Sequence, residues 1–224
     1  YLGATHDARQ ETPGWLFANY SEASAPAGRW RAAAVLPSPL LPSAGIMRVA
    51  NMPPVRRCET FEPRTVKWFG PTANTPAGWV VDFGQNIAGT VQLTIPPLVM
   101  AAAPAGSNFT VRHAEVSWPN GSLHHMYTKQ TELTTYIVGS SDGGAGGAGG
   151  ADIVFEPRHT YSAFRFVEIS GSALPTAAAA GGDGLPVSVV AHFVHTDLEQ
   201  TGQLSTSSAV LNKIVRAATF SQLA

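Results

Sequence analysis

The sequence predicts an all-β protein: an antiparallel β-sandwich with a loop-rich N-terminal collar and a short C-terminal helix. Several segments alternate apolar and polar residues with a period of two, as half-buried strands do. Glycine, proline and asparagine separate these segments, which is typical of sandwich turns. No segment of helical periodicity lies between them, and this argues against a parallel α/β sheet.

The composition limits the possible functions. The chain has 224 residues, 44% of them hydrophobic, which is enough to bury a core, and only 13% are charged. The net charge is −1 and the basic residues are scattered, so we expect neither nucleic acid nor a membrane as a partner. No apolar run approaches the roughly 20 residues of a spanning helix. Cys58 is the only cysteine; it excludes a disulfide framework and is expected to be a small buried residue.

The elements follow in order. Residues 1–52 are irregular but rich in aromatic residues, so we expect a loop-rich collar that packs onto a neighbouring domain. Residues 79–95 predict a hairpin, with Gly84 and Gly89 bracketing the connection and with Val91, Leu93 and Ile95 alternating onto one face. Further strands are predicted over 109–116, 133–138, 153–155, 164–169 and 187–195. Two Gly/Ala-rich stretches, 143–150 and 177–184, are predicted to be loop insertions.

The pattern becomes helical after Thr201. The hydroxyls of residues 205–208 are suitable N-caps. An apolar stripe follows at helical spacing: Val210, Leu211, Ile214, Val215 and Ala218. This helix is interpreted either as the first helix of a domain that continues beyond the chain or as a helix that folds back onto the sandwich.

Five carboxylates lie near predicted strands: Asp82, Glu115, Asp152, Glu156 and Glu168. A glycosidase needs two carboxyl groups, about 5 Å apart for retention and roughly 6.5–9.5 Å apart for inversion. Structural roles are nevertheless favoured for three of the five. Asp82 is expected to cap backbone N–H groups of the turn that follows it. Glu156 is expected to form an ion pair or a turn beside Arg158, and Glu168 a salt bridge at a strand end.

Two other patterns bear on chemistry. His113 and Glu115 are two residues apart on one predicted strand, so their side chains are expected to point the same way. Such a pair could bind a metal or polarise a water, but no third ligand is evident, and a buried hydrogen-bonded pair is the alternative. We therefore predict no metal site and no cofactor. Trp118 precedes a turn and is the tryptophan best suited to stack on a sugar, whereas Trp79 is expected in the core.

Six phrases occur in a fixed order along the chain: YLGATHDAR (1–9), VDFGQNIAG (81–89), RHAEV (112–116), FEPRHTY (155–161), VHTDL (194–198) and LNKI (211–214). Together they resemble the bacterial-type α-L-rhamnosidases, multidomain glycoside hydrolases in which β-sandwich modules precede an (α/α)6-barrel catalytic domain. The resemblance implies three regions. Residues 1–52 would end an upstream β domain, 53–200 would form a concanavalin-like, jelly-roll-like sandwich, and 201–224 would hold a linker and the first barrel helix.

The resemblance also implies a function. The parent enzyme would hydrolyse terminal α-L-rhamnosides with inversion, using catalytic carboxylates in the barrel. No catalytic residue can be carried over to this chain, which is expected to be a non-catalytic segment, inactive by itself. The implied partners are the barrel of the same protein and a rhamnose-containing glycan or glycoside. Residues 5–7, Thr-His-Asp, depart from the family, which more often has Glu and Tyr before the Asp.

The residues proposed for a domain interface or a sugar edge share a position in or near the two central phrases. They are Asp82, Gln85, Asn86, His113, Glu115 and Trp118. The alternative to an enzyme segment is a stand-alone carbohydrate-binding module or a purely structural β-sandwich.

Overall fold

The computed structural model of the protein describes residues 3–12, 14–24, 27–35, 48–71, 77–124, 133–139, 151–175 and 184–223. Its contacts divide the chain into two units: one contains Tyr1–Arg9 and Pro53–Ala224, and the other contains Gln10–Met52. The first unit holds the sheet. The predicted boundaries at residues 52 and 200 stay predictions.

Within the described ranges the chain forms nine strands. They are β1 (Ala4–Asp7), β2 (Val55–Phe61), β3 (Thr65–Phe69), β4 (Gly78–Ile95), β5 (Asn108–Ala114), β6 (Leu133–Ile137), β7 (Ile153–Phe155), β8 (Ser162–Ser170) and β9 (Ser188–Thr196). Helix α1 (Pro97–Ala102) follows β4, and helix α2 (Ala209–Leu223) follows β9. Two single 3-10 turns occupy Ala8–Gln10 and Glu22–Ser24.

The strands join in one curled sheet in the order β1-β6-β5-β8-β4-β9-β2, and β3 and β7 also pair with β4. The β1–β6 pair is parallel; the other described pairs are antiparallel. The first part of β4 pairs with β3 and β8, and its last part pairs with β9 and β7. Because one long strand serves both halves, the sheet curls into a half-barrel, and the predicted all-β fold is confirmed.

The predicted hairpin over 79–95 is wrong, because these residues form the single strand β4. Gly84, with φ of 78°, bends the backbone locally without reversing the chain. Gly89 serves a close approach of two strands: a Cβ on it would lie 1.9 Å from the carbonyl oxygen of His192. Gly84 is therefore needed for a backbone bend and Gly89 for a close contact between strands, and neither forms a turn.

The core lies inside the curl. The predicted alternation of β4 is confirmed, since Val91, Leu93 and Ile95 are buried in the main cluster with side chains from β5, β6, β8 and β9. Trp79 is buried as expected. A second, smaller cluster lies on the opposite face of the sheet, because Val80 alternates with Val81 of the core. We call it the outer cluster; its members are Phe69, Val80, Ala114, Leu123 and Phe166.

Cys58 is exposed, so the prediction of a buried residue is wrong. It lies in β2, the strand at one edge of the sheet, at a register irregularity between Arg57 and Glu59. From Val55 to Thr60 the strand β2 is exposed on both faces, so the Cys58 side chain is not covered there. The predicted Gly/Ala loops over 143–150 and 177–184 lie outside the described residues, except for Gly184.

The unit Gln10–Met52 is irregular where it is described and contains the turn Glu22–Ser24. Its aromatic residues pack on one another: the rings of Trp15 and Trp30 are 6.4 Å apart, and the indole nitrogen of Trp30 donates to the hydroxyl of Tyr20 over 2.8 Å. These contacts account for the aromatic density of the segment.

Helix α2 folds back onto the sheet through its last turns, as one of the two interpretations predicted. Phe220 stacks on Phe193 of β9 with ring centroids 4.9 Å apart, and its edge meets Phe61 of β2. The first turns differ: Val210, Leu211 and Ile214 of the predicted stripe are 66%, 51% and 58% exposed. The helix is therefore docked at one end and uncovered at the other. No helix among the described residues is long and apolar enough to cross a bilayer.

The docking of α2 predicts unequal responses to truncation along the helix. Phe220→Ala removes a partly buried ring, so we expect the free energy of unfolding to fall by about 1–3 kcal/mol, less than for a fully buried Phe. Val210→Ala, at the exposed end, serves as the control and is expected to change it by less than about 0.5 kcal/mol. Urea unfolding followed by circular dichroism measures both. Equal effects would contradict the docking of the C-terminal turns.

Candidate functional site

The site begins at a bulge in β4, residues 82–87. Asp82 pairs with Phe166 of β8, and Ile87 pairs with Phe164, so five steps along β4 face two steps along β8. The additional residues leave the ladder and bend the strand, as bulges do. Gly84 occupies the left-handed conformation, and a Cβ on it would lie 2.2 Å from Nε of Arg64. The bulge therefore requires glycine at this position.

Asp82 holds the bulge in shape. Its carboxylate accepts two hydrogen bonds from Arg165, from Nε and from a terminal nitrogen, both over 2.8 Å. The same carboxylate accepts the backbone N–H of Gly84 over 2.6 Å, which confirms the predicted cap. The hydrogen bonds from Arg165 lower the pKa of Asp82 most, partial burial opposes them, and the Gly84 bond adds to the lowering. Asp82 is thus a fixed anion with a structural role.

The exposed side of the bulge carries amides. The side chain of Asn86 donates to a carboxylate oxygen of Glu115 over 3.0 Å, and the side chain of Gln85 donates to the carbonyl of Asn86 over 3.0 Å. The structure therefore brings four of the six proposed residues, Asp82, Gln85, Asn86 and Glu115, to one end of the sheet. Asn86 and Glu115 are exposed, so their remaining hydrogen-bonding capacity faces solvent.

Trp118 lies three residues beyond Glu115, at the start of a small hairpin, residues 117–123. Ser117 and Leu123 form its closing bridge, and the backbone of Trp118 donates to the carbonyl of Ser122 over 2.8 Å. The indole is 45% exposed, slightly less than those of Trp15 and Trp30, and packs against the ring of His124 at 4.1 Å between centroids.

His113 belongs to a different environment. It is 6% exposed, and its ring centroid lies 5.0 Å from that of Phe164 in the core. Glu115, by contrast, follows the end of β5 and is exposed. Within the part of the chain that the structure describes, no three His, Cys, Asp or Glu side chains converge as metal ligands would. His113 is therefore assigned to packing.

The remaining strand carboxylates also have partners. Glu168 forms the predicted ion pair, with Arg112 on β5 over 3.5 Å, but both lie within the sheet and not at a strand end. Burial raises the pKa of Glu168, and the charge of Arg112 opposes that change. Glu156 forms its ion pair with Arg57 of β2 and accepts the hydroxyl of Thr90 over 2.5 Å. The partner is therefore Arg57 and not Arg158, the neighbour expected from the sequence.

Known proteins agree with the fold. A family model described as the bacterial α-L-rhamnosidase concanavalin-like domain matches residues 73–190, which include β4, the bulge and the hairpin of Trp118. The chain belongs to this family. The concanavalin-like domain thus accounts for most of the curled sheet.

The relatives are much longer proteins. An α-L-rhamnosidase of Streptomyces avermitilis is 28% identical over 98% of this chain and 18% of its own length. An α-L-rhamnosidase of Formosa agariphila is 28% identical over 96% of this chain and 19% of its own length. The chain therefore spans about a fifth of the length of these curated relatives.

Solved structures resemble the same region. The α-L-rhamnosidase of Dictyoglumus thermophilum superposes with a TM-score of 0.70 at 26% identity, over 98% of this chain and 21% of that one. The Streptomyces avermitilis α-L-rhamnosidase in complex with L-rhamnose superposes with a TM-score of 0.56 at 27% identity, over 77% of this chain and 14% of that one.

Sequence reasoning on this concanavalin-like domain missed Arg165 and Arg64, the two arginines at the bulge. Arg165 lies on β8, 83 residues from Asp82 in the chain, and a partner so distant leaves no local pattern. The usable signal was the low number of charged residues: an arginine on a sheet of apolar neighbours needs a carboxylate nearby.

The depressed pKa of Asp82 predicts how acid affects Asp82→Asn. Between its folded pKa and about 3.9, the unfolded chain binds more protons at Asp82, so the contribution of Asp82 is complete above that range and is lost as the pH falls through the folded pKa. We expect the variant to lose about 1–2 kcal/mol at pH 7 and the difference from wild type to shrink below pH 4. Denaturant unfolding at several pH values measures it.

Asp152→Asn is the matched control for that experiment, because Asp152 is an exposed carboxylate. It is expected to stay within about 0.5 kcal/mol of wild type at pH 7. A pH-independent difference between Asp82→Asn and wild type would contradict the role given to the Asp82–Arg165 pair.

A second prediction concerns Gly84→Ala. The variant places an L side chain at φ of 78° and forces the Arg64 side chain away, so we expect a loss of more than about 1–2 kcal/mol. Gly106→Ala is the control: its φ of 86° carries similar backbone strain, but the nearest atom, on Arg9, is 3.6 Å away. Thermal unfolding compares the two. If Gly106→Ala costs as much as Gly84→Ala, the contact with Arg64 does not constrain the bulge.

Proposed function

We propose that this chain is the non-catalytic concanavalin-like segment of an α-L-rhamnosidase-type glycoside hydrolase, whose catalytic carboxylates belong to another domain. The parent would hydrolyse terminal α-L-rhamnosides with inversion. Family membership and similarity to proteins named α-L-rhamnosidase support the reaction class. The small share of those proteins that the chain spans supports the role of a segment.

The observation that carries the non-catalytic role is the engagement of the carboxylates. Asp82 binds Arg165, Glu168 binds Arg112, Glu156 binds Arg57, and Glu115 accepts the amide of Asn86. An inverting glycosidase needs one carboxylic acid that donates a proton and one carboxylate that activates water. Arg165 lowers the pKa of Asp82, which makes Asp82 a poor candidate for the acid. Burial raises the pKa of Glu168, but its side chain is buried within the sheet beside Arg112 and away from solvent.

The exposed face of α2 supports a helical partner. Val210, Leu211 and Ile214 form an apolar strip at helical spacing that the sheet leaves uncovered. Apolar strips of this kind are expected to pack against another element. We propose that the (α/α)6 barrel of the same protein covers it, with residues 201–224 forming the linker and first helix, 53–200 the sandwich, and 1–52, apart from strand β1 of the sheet, the end of an upstream β domain.

The proposal predicts that the purified 224-residue chain releases no aryl alcohol from an aryl α-L-rhamnoside. The Streptomyces avermitilis α-L-rhamnosidase is the positive control in the same assay, and circular dichroism confirms that the chain is folded. Turnover above the buffer rate would refute the non-catalytic role. To exclude a contaminating enzyme, any turnover would have to disappear on replacing Asp82, Glu115, Glu156 or Glu168 by the corresponding amide.

A further inference from the structure

We propose that Trp118, together with Asn86 and Glu115, forms a contact site for a neutral sugar ring on the concanavalin-like domain. This goes beyond the non-catalytic role, because a domain that only braces its neighbour needs no ligand. The choice of a rhamnose-containing saccharide as the ligand rests on the proposed function. The existence of the site rests on the geometry alone.

The first element of the site is a rigid aromatic platform. Trp118 is 45% exposed, although tryptophan is usually among the more buried residues. The hairpin holds it in place: Gly121, with φ of 86°, donates its N–H to the carbonyl of Trp118, and the side chain of Asn120 accepts both the N–H and the hydroxyl of Ser122. The His124 ring packs against the indole. The exposed ring is therefore ordered before any ligand arrives.

The hairpin is anchored from below. Leu123 is 6% exposed and belongs to the outer cluster, and a Cβ on Gly121 would lie 2.8 Å from the ring of Phe69. The hairpin thus buries Leu123 against the sheet while Trp118 remains outside. Leu123 already anchors the hairpin, so its attachment to the sheet does not depend on burying Trp118, and the indole face stays open to a ligand.

The second element is a pair of exposed polar groups close to Trp118 along the chain and across the bulge. Glu115 and Trp118 are three residues apart, so their Cα atoms are separated by at most about 10 Å. Asn86 donates to Glu115 over 3.0 Å, and this hydrogen bond orients both exposed side chains. The pair still offers an unused amide hydrogen and several carboxylate lone pairs.

These groups match a saccharide better than other ligands. A pyranose has an apolar C–H face that stacks on an indole and hydroxyl groups that both donate and accept hydrogen bonds. The deoxy methyl group of rhamnose enlarges that apolar surface. The Glu115 carboxylate disfavours an anionic ligand, and the single platform limits the site to one sugar ring.

The experiment uses the 224-residue chain and L-rhamnose, with methyl α-L-rhamnoside as a second probe. The indole N–H signals of the five tryptophans are followed by NMR during each titration, and the Trp118 signal is assigned from Trp118→Phe. We expect that signal to shift in a saturable manner, Trp118→Ala to weaken binding by about tenfold or more, and Trp118→Phe to weaken it less. Glu115→Gln should weaken binding while leaving the spectrum of the folded chain unchanged.

Trp15→Ala is the matched control, because Trp15 is 52% exposed and lies in the other unit. It should leave the affinity unchanged. The inference is overturned if neither saccharide shifts the Trp118 signal, if Trp118→Ala binds as well as wild type, or if Trp15→Ala weakens binding equally. If the chain binds neither saccharide and also shows no turnover, only this sugar site is contradicted. If the chain hydrolyses the aryl rhamnoside, only the proposed function is contradicted.

Discussion

The structure depends on one ion pair inside the sheet, between Asp82 of β4 and Arg165 of β8. At the bulge, β4 and β8 lose their regular ladder, and the backbone groups of residues 83–86 need other partners. The Asp82 carboxylate provides one of them by accepting the N–H of Gly84, and Arg165 binds the same carboxylate with two hydrogen bonds that lower its pKa. The pair therefore ties the bent part of β4 to its neighbour.

The bend matters because β4 belongs to both halves of the sheet. Its first residues pair with β3 and β8, and its last residues pair with β9 and β7. A straight strand of 18 residues could not follow both sets of neighbours around a curled core. The bulge takes up the change in direction, and it also turns Asn86 outward, towards Glu115.

Local patterns in the sequence located β4 to β9 but not β1, β2 or β3, and they did not give the arrangement of the strands. Val91, Leu93 and Ile95 alternate clearly, so β4 could be placed, and the exposure of Trp118 followed from the turn after it. A glycine with positive φ suits a hairpin turn and a bulge equally well, so the pattern around Gly84 could not separate them. The short edge strand β1 carries too few residues for a period to be recognised.

Ion pairs between residues far apart in the sequence could not be predicted either. Asp82 could be predicted as a cap because Gly84 is two residues away, but Arg165 comes from another strand. Glu156 likewise pairs with Arg57, 99 residues away, in place of the nearby Arg158. Strand order and register decide which side chains meet across a sheet, and neither can be derived from a short stretch of sequence. The proposed site residues were therefore identified more reliably than their partners.

The two faces of the sheet have different roles. The inner face is apolar and closes the core, and the outer face carries the small outer cluster on which the hairpin of Trp118 rests. The arginine-paired carboxylates Asp82, Glu156 and Glu168 stabilise the sheet. Arg165 lowers the pKa of Asp82, which is therefore unsuited to general acid catalysis, and Glu168, whose pKa burial raises, is enclosed within the sheet beside Arg112. The exposed groups at the bulge and the hairpin, Asn86, Glu115 and Trp118, are free of such ion pairs with arginine among the described residues, and this contrast is the physical basis on which we propose recognition for this domain and bond cleavage for another.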